Sequence, residues 1–163
     1  LILVCLASFR PTLTDEKLIN LAYQELMATP DVLFHGALLL GRTELLKTAY
    51  QHLRELKMKP TPINFSQLGS GEIIEAVAPM LAPQLSIKLF LRAFELRAIN
   101  TMQRLVPTVE LYLTGSQIPP ALICQYFYPA LMAAEEGNLP AMSAALEGAH
   151  RCGLNVHDVY GSF

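Results

Sequence analysis

The sequence predicts an all-α fold, and three observations lead to this expectation. Apolar residues recur with helical period in every well-marked segment, and no stretch shows a sustained two-residue alternation. Most prolines lie between these segments, where a proline ends a helix at little cost. The chain of 163 residues is 52% hydrophobic and only 16% charged, which is typical of a protein that folds.

The prolines and glycines divide the chain into about five helix pairs. Thr14 is placed to cap the second helix, and Gly41 and Gly137 fall at turns between paired helices. The predicted pairs are 1–10 with 15–28, 32–40 with 43–59, 63–68 with 71–81, 87–96 with 99–114, and 121–136 with 138–152.

The net charge and the cysteine content bear on which ligands and which cellular compartment the sequence favours. The net charge of −2 gives the whole chain no attraction for a polyanion. The charge is uneven, because residues 1–104 carry a net +2 and residues 105–163 a net −4. Three scattered cysteines do not make a disulfide framework, which indicates a reducing compartment.

Internal repetition supports a stacked array of helix pairs. The segment AYQEL at 22–26 recurs as AYQHL at 49–53, and each is followed by a proline, Pro30 or Pro60, 30 residues apart. Prolines later in the chain also separate helical segments, but their spacing is irregular. A helix pair of this size buries its apolar face only against neighbours, so we expect an α-solenoid. The approximate repeats are 1–31, 32–61, 62–85, 86–120 and 121–157, with the start of another at 158–163, and the Leu start suggests an excerpt from a longer protein.

Several junctions resemble those of the pentatricopeptide repeat (PPR) family. The run QYFYPAL at 125–131 is followed by Gly137 and, sixteen residues later, by Gly153, as in a PPR unit. The runs PDVLFH at 30–35 and KPTPINFS at 59–66 are similar to the family's boundary between repeats. The first two units are a few residues shorter than the family's usual repeat, and the unit ending at Pro83 is shorter still. The leucine content and the segment 86–163 resemble most the leucine-rich PPR proteins of animal mitochondria.

This resemblance implies a fold and a function. The fold would be a right-handed α-solenoid of antiparallel helix pairs. The function would be binding of single-stranded RNA, namely mitochondrial transcripts in the matrix, which the protein would stabilise or escort. The partners would be that RNA and a small RNA-recognition-motif protein or a larger ribonucleoprotein assembly, with no membrane insertion.

The resemblance also implies candidate RNA-reading residues. In the family, a residue after the opening aromatic acts with the last residue of the repeat. The first position falls on His35, Ser66 and Phe127, and the matching last positions fall on Thr61 and on His157 or Asp158. Only Ser66 is a usual reader type, and His35 with Thr61 is not one of the family's base-reading pairs. Phe127 is suited either to stacking on a base or to a place in the core.

Basic residues give a second set of candidates. Lys88 and Arg92 are four residues apart and share one helix face, so they are candidate phosphate contacts. The alternative is an ordinary solvated face.

No catalytic motif, metal site or cofactor site is predicted. The spacing of His150, Cys152 and His157 matches no structural zinc pattern, and no nucleophile elbow or P-loop is present. The expectation is therefore a protein that is not an enzyme. The alternative to RNA binding is a protein-binding α-solenoid of the tetratricopeptide, HEAT or ankyrin type, which the acidic C-terminal part favours.

Overall fold

The computed structural model describes residues 12–115 and, further along, residues 137, 139, 140, 143, 146 and 147. All regular structure in these residues is helical, and none of them lies in a strand, so the predicted all-α class is confirmed. The chain divides into two compact units, Leu1–Met80 and Leu81–Phe163. The predicted helices 1–10 and 121–136 lie outside the described residues.

In the first unit the described residues form four α-helices. They are α1 (Asp15–Asn20), which continues as a π-helical turn at Leu21–Glu25, α2 (Pro30–Leu40), α3 (Thr43–Glu55) and α4 (Gly71–Val77). A 3₁₀ turn at Ala78–Met80 follows α4. The predicted helix 15–28 is thus found in part, and the predicted helix 43–59 ends earlier than expected.

Side-chain caps explain where three of these helices begin. The hydroxyl of Thr14 accepts a hydrogen bond from the Lys17 amide, as the sequence predicts. Thr29 does the same for the Val32 amide, with Pro30 in the first turn of α2. Ser70 accepts from the Ile73 amide at the start of α4. Each cap satisfies one of the amides that a helix start leaves unpaired.

Helices α2 and α3 fold back on one another and bury a shared apolar layer. Gly41, with φ of 68°, ends α2 in the left-handed region, and α3 begins two residues later. The layer contains the apolar stripe of α3, whose residues recur at helical spacing, except for Leu56, which lies beyond the helix end. Its buried members are Leu33, Phe34, Ala37 and Leu38 of α2 with Leu45, Leu46, Ala49 and Leu53 of α3.

Helices α1 and α3 run side by side in the same direction. At their starts, the Arg42 guanidinium donates to the Leu13 carbonyl at 2.7 Å and lies 3.2 Å from the Asp15 carboxylate. Towards their ends, the Tyr23 hydroxyl lies 2.7 Å from Nδ1 of His52. Because contacts join both pairs of ends, the two elements are parallel and nearly in register.

The predicted helix 63–68 is wrong. Only a single 3₁₀ turn, Phe65–Gln67, forms in this stretch. Pro60 and Pro62 have no amide N–H, so two hydrogen-bond donors are missing just before this stretch. Within it, the Ser66 amide donates to the side chain of Asn64. Leu68 has an extended backbone, which ends the turn. A segment of so few residues does not form a stable α-helix unless it packs extensively against the rest of the protein. The third predicted pair therefore has a helix, α4, only in its second half.

In the second unit, the described residues up to 115 form a helix pair. A 3₁₀ turn at Pro83–Leu85 leads into α5 (Ser86–Glu95), and α6 (Ile99–Gly115) packs against it. The predicted bounds of both helices agree to within a residue. The buried apolar side chains are Ile87, Leu89, Phe90, Ala93 and Phe94 of α5 with Met102, Leu105, Val106 and Val109 of α6. Beyond residue 115, Gly137 lies in a turn with φ of 127°, where the sequence predicts a turn.

Candidate functional site

The best-defined polar cluster in the described residues joins Asp31, His35 and Thr61. Asp31 lies in the first turn of α2, where the Thr29 cap and Pro30 fix the entry of the chain. His35 lies one turn later on the same face. Thr61 belongs to the extended segment between α3 and the 3₁₀ turn at Phe65–Gln67. The cluster thus ties the start of one helix pair to the chain that leaves it.

Thr61 is held at two atoms by the Asp31 carboxylate. The Thr61 amide donates to Oδ1 of Asp31 at 2.9 Å, and the Thr61 hydroxyl donates to Oδ2 at 2.9 Å. The hydroxyl also lies 2.7 Å from Nε2 of His35. Nε2 is itself 3.6 Å from Oδ1 of Asp31.

These contacts assign the proton on His35. An ionised carboxylate only accepts hydrogen bonds, so the single hydroxyl proton of Thr61 goes to Asp31. The hydroxyl oxygen must then accept from Nε2–H of His35. In neutral His35 this leaves Nδ1 as an acceptor, and no contact of the described residues occupies it.

The cluster is partly open to solvent. The Asp31 and His35 side chains are 21% and 26% exposed, and Thr61 is exposed. The ring of His35 also meets the buried Phe34 ring edge to face, with centroids 5.5 Å apart. The orientation of the imidazole is therefore held on two sides.

The structure brings together two of the residues that the PPR resemblance implies. His35 and Thr61 stand at the first and last positions of one unit in that resemblance, and they are hydrogen-bonded. Their functional groups are engaged with each other and with Asp31. Asp31 itself was not among the candidate site residues, although its place in the Pro-Asp junction was a signal for it.

Ser66 lies elsewhere, in the 3₁₀ turn at Phe65–Gln67. Its amide and hydroxyl both bond to Oδ1 of Asn64, at 3.1 and 2.6 Å. These contacts are those of an Asn-stabilised turn. Ser66 is exposed. The PPR resemblance implies a place on a regular helix for this residue, but Ser66 does not lie on one.

Lys88 and Arg92 both lie on α5, as expected, but in different surroundings. Lys88 is exposed. Arg92 is only 19% exposed, and its guanidinium donates to the Glu95 carboxylate at 2.8 Å. Lys88 is thus the more accessible of the two for a phosphate contact. Phe127, His157 and Asp158 lie outside the described residues.

A second polar contact that the sequence did not predict joins α3 to the turn after α1. The Tyr23 ring and the His52 ring have centroids 5.5 Å apart in addition to their hydrogen bond. Burial raises the pKa of the Tyr23 hydroxyl above its usual value. The recurring AYQ pattern was a signal for these positions, but it aligns Tyr23 with Tyr50 rather than with its partner His52.

A basic and apolar segment covers the last turn of α3 and the residues after it. Arg54, Lys57 and Lys59 are exposed, and no ion pair to them occurs among the described residues. Leu56 and Met58 between them are 57% and 50% exposed. By contrast, the ammonium group of Lys47 is paired and lies 3.1 Å from the Glu44 carboxylate.

Within the described ranges, no group of three or more His, Cys, Asp or Glu residues is placed to hold a metal ion. In the same part of the chain, no helix combines the length and hydropathy that a membrane span requires. Comparisons with protein-family models, with curated proteins and with solved structures found no match for this chain.

Proposed function

We propose that the chain is part of a right-handed, PPR-type α-solenoid that binds single-stranded RNA. The observation that carries the proposal is the hydrogen bond between His35 and Thr61. These residues occupy the two positions that the resemblance assigns to base recognition in one unit, although their combination is not one of the family's usual base-reading pairs. Mitochondrial transcripts in the matrix are the proposed ligands, which the protein stabilises or escorts.

The spacing of contacts supports a solenoid. Side-chain bonds between different elements of the first unit join residues 26 to 30 positions apart, close to the 30-residue distance between Pro30 and Pro60. In a solenoid each repeat contacts its neighbours in sequence, so contacts recur at about one repeat length. The parallel course of α1 and α3 agrees with stacking of successive second helices.

The His35 group has a chemistry suited to a base edge. With Nε2–H given to Thr61, Nδ1 presents an acceptor, which matches an exocyclic amino group of adenine or cytosine. Asp31 fixes the ring indirectly by holding Thr61. In this proposal, exposed basic side chains contact the phosphates of the RNA. Lys88 is the leading candidate among them.

The test is a filter-binding titration of the full chain with single-stranded RNA oligomers at several salt concentrations. Bound phosphates release counterions, so affinity should fall linearly with log salt. Lys88→Glu should weaken binding to all sequences and lower the salt slope. Lys17→Glu, which changes an exposed lysine on α1, is the matched control.

His35→Ala separates base contact from phosphate contact. It should lower affinity about tenfold for A- or C-containing oligomers and change U-only oligomers much less. The proposal fails if the chain binds no RNA at low salt, or if His35→Ala leaves the preference among oligomers unchanged.

A protein-binding α-solenoid is the second candidate. The observation that favours it is the exposure of large aliphatic side chains, including Met27 at 81% and Leu56 at 57%. A scaffold in a ribonucleoprotein assembly, or one bound to a small RNA-recognition-motif protein, presents such a surface. Absence of RNA binding together with binding of a protein partner would favour this function.

A further inference from the structure

Two neighbouring helix ends in the first unit expose apolar side chains, and Leu26 and Leu56 hold the corresponding place at each end. Leu26 and Met27 follow the π-helical turn after α1, and Leu56 and Met58 follow α3. Their exposed fractions are 37%, 81%, 57% and 50%. We call these four residues, with Arg54, Lys57 and Lys59, the helix-end surface.

The two ends lie next to each other because the two elements are parallel. The Tyr23–His52 hydrogen bond joins them about one turn before Leu26 and Leu56. The corresponding positions after the two helices are alike in conformation, since Met27 and Lys57 have φ of 50° and 54°. The chain therefore leaves both helix ends through the same left-handed geometry, and the two ends are neighbours.

Basic side chains accompany the apolar ones. Arg54, Lys57 and Lys59 are exposed, and the only acids in segments 24–29 and 54–59 are Glu25 and Glu55. This gives the surface a net positive charge in a chain whose total is −2. Charge complementarity thus favours an acidic ligand that also offers aliphatic groups.

The spacing of the two ends fits a helix. Packed helices lie about 8–10 Å apart. Residues seven positions apart on one face of a helix are separated by about 10.5 Å. An amphipathic helix laid across both ends therefore places successive apolar residues on the Leu26–Met27 pair and on the Leu56–Met58 pair. Methionine adapts to such contacts because its side chain is flexible and polarisable.

We propose that the helix-end surface binds an acidic amphipathic helix of a partner protein. This site is separate from the Asp31–His35–Thr61 cluster and does not depend on RNA binding. The leucines and methionines bury the apolar stripe of the ligand, and the two lysines contact its carboxylates at the rim.

The test uses fluorescence anisotropy with a labelled synthetic helix of about 18 residues that carries Leu at i, i+3, i+4 and i+7 and Glu at most other positions. The full chain should bind this peptide, and a version with Lys in place of Glu should not bind. The double variant Leu56→Ser with Met58→Ser should weaken binding about tenfold. Lys57→Gln with Lys59→Gln should weaken it several-fold and reduce its dependence on salt.

Two control variants match these changes at other places. Leu39→Ser removes an aliphatic side chain that is 45% exposed on α2. Lys17→Gln neutralises an exposed lysine of α1 that lies nine residues before Leu26. Both controls should keep the affinity of the full chain, and thermal melts should show that all variants are folded.

The proposal is wrong if neither peptide binds, if the basic peptide binds as well as the acidic one, or if the controls weaken binding as much as the test variants. It is also wrong if a single-stranded RNA oligomer binds the full chain and loses affinity in the Lys57–Lys59 variant but not in the Leu56–Met58 variant. That last result would assign the surface to RNA.

Discussion

The Thr61 hydroxyl both donates and accepts a hydrogen bond, which makes it the centre of its cluster. It donates to Asp31 and accepts from His35, while its backbone amide also bonds to Asp31. Loss of the hydroxyl leaves a half-buried imidazole N–H and one carboxylate oxygen with poorer partners. Such groups cost more when orphaned than the bond itself contributes.

Thr61→Val should therefore destabilise the first unit by about 1 kcal/mol. Valine keeps the shape of threonine but has no hydroxyl, so packing changes little. The measurement is the midpoint of urea unfolding, and Thr61→Ser should recover most of the loss.

Thr48→Val is the matched control for that substitution. The Thr48 hydroxyl donates only to the Glu44 carbonyl one turn earlier in α3. We expect a change well below that of Thr61→Val, because Thr48 links no separate elements. Equal effects at the two positions would show that the junction contacts add nothing.

Tyr23 gives a prediction about alkaline pH. Burial raises the pKa of its hydroxyl in the folded chain, while the unfolded chain loses this proton at about pH 10. Above that pH the unfolded state is favoured, because it releases the proton first. The free energy of unfolding should therefore fall as pH rises from about 10 through the higher pKa of the folded state.

Tyr23→Phe should reduce this alkaline loss. At neutral pH the variant should be less stable than the parent, since the hydrogen bond to His52 is gone. The difference in stability should shrink as the pH is raised above about 10. Parallel curves of unfolding free energy against pH for the two proteins would contradict the prediction.

At the scale of elements, three helices end with the same pattern of backbone hydrogen bonds. After α2, the amide of Arg42 bonds to the Ala37 carbonyl. The amides of Met58 and Ala98 bond in the same way to Leu53 and Ala93. The left-handed residue of this motif is Gly41 after α2, but it is Lys57 after α3 and Arg97 after α5.

Lys57→Gly should stabilise the chain by about 0.5–1 kcal/mol, because glycine adopts a positive φ without the Cβ clash. Arg97→Gly should gain less or lose stability. Its guanidinium lies 4.4 Å from the centre of the Phe94 ring and donates to the Phe94 carbonyl, and glycine loses both contacts. Thermal unfolding of the two variants checks this order, and a larger gain at Arg97 would contradict it.

The helices that the sequence predicted well have apolar residues at helical spacing and clear ends. The stripe of α3 and the bounds of α5 and α6 are examples, because burial against a partner helix reinforces the local pattern. The ends of α3 and α1 were less predictable. Lys57 and Met27 stop them in left-handed geometry, and neither residue type signals such a stop.

The candidate site was predictable only in part, because its contacts cross between elements. His35 and Thr61 were named from a family pattern, and their contact follows from the packing of α2 beside the segment after α3. The two hydrogen bonds from Thr61 to the Asp31 carboxylate depend on the same packing. The Tyr23–His52 contact depends on the register between α1 and α3, which a short repeat of sequence does not determine.

At the scale of the whole molecule, the chain comprises two compact units, each with buried apolar side chains of its own. In the first unit, α2 and α3 share a buried apolar layer, and α4 adds Ile73, Ile74 and Val77. Contacts of α4 with α3 bring this helix onto the same unit. A unit with its own buried layer is expected to fold without the rest of the chain.

The fragment 1–80 should therefore unfold cooperatively when expressed alone. In that fragment Leu53→Ala should cost about 2–5 kcal/mol, as it should in the full chain, because Leu53 is fully buried in α3. A shorter fragment, 1–60, lacks α4 and exposes the apolar surface that this helix covers, so its unfolding transition should be broader and occur at lower temperature. Circular dichroism melts of the two fragments and of Leu53→Ala make the comparison. A fragment 1–80 without a cooperative transition would show that the first unit depends on the second for its fold, and a fragment 1–80 no more stable than 1–60 would show that α4 adds nothing to the stability of the unit.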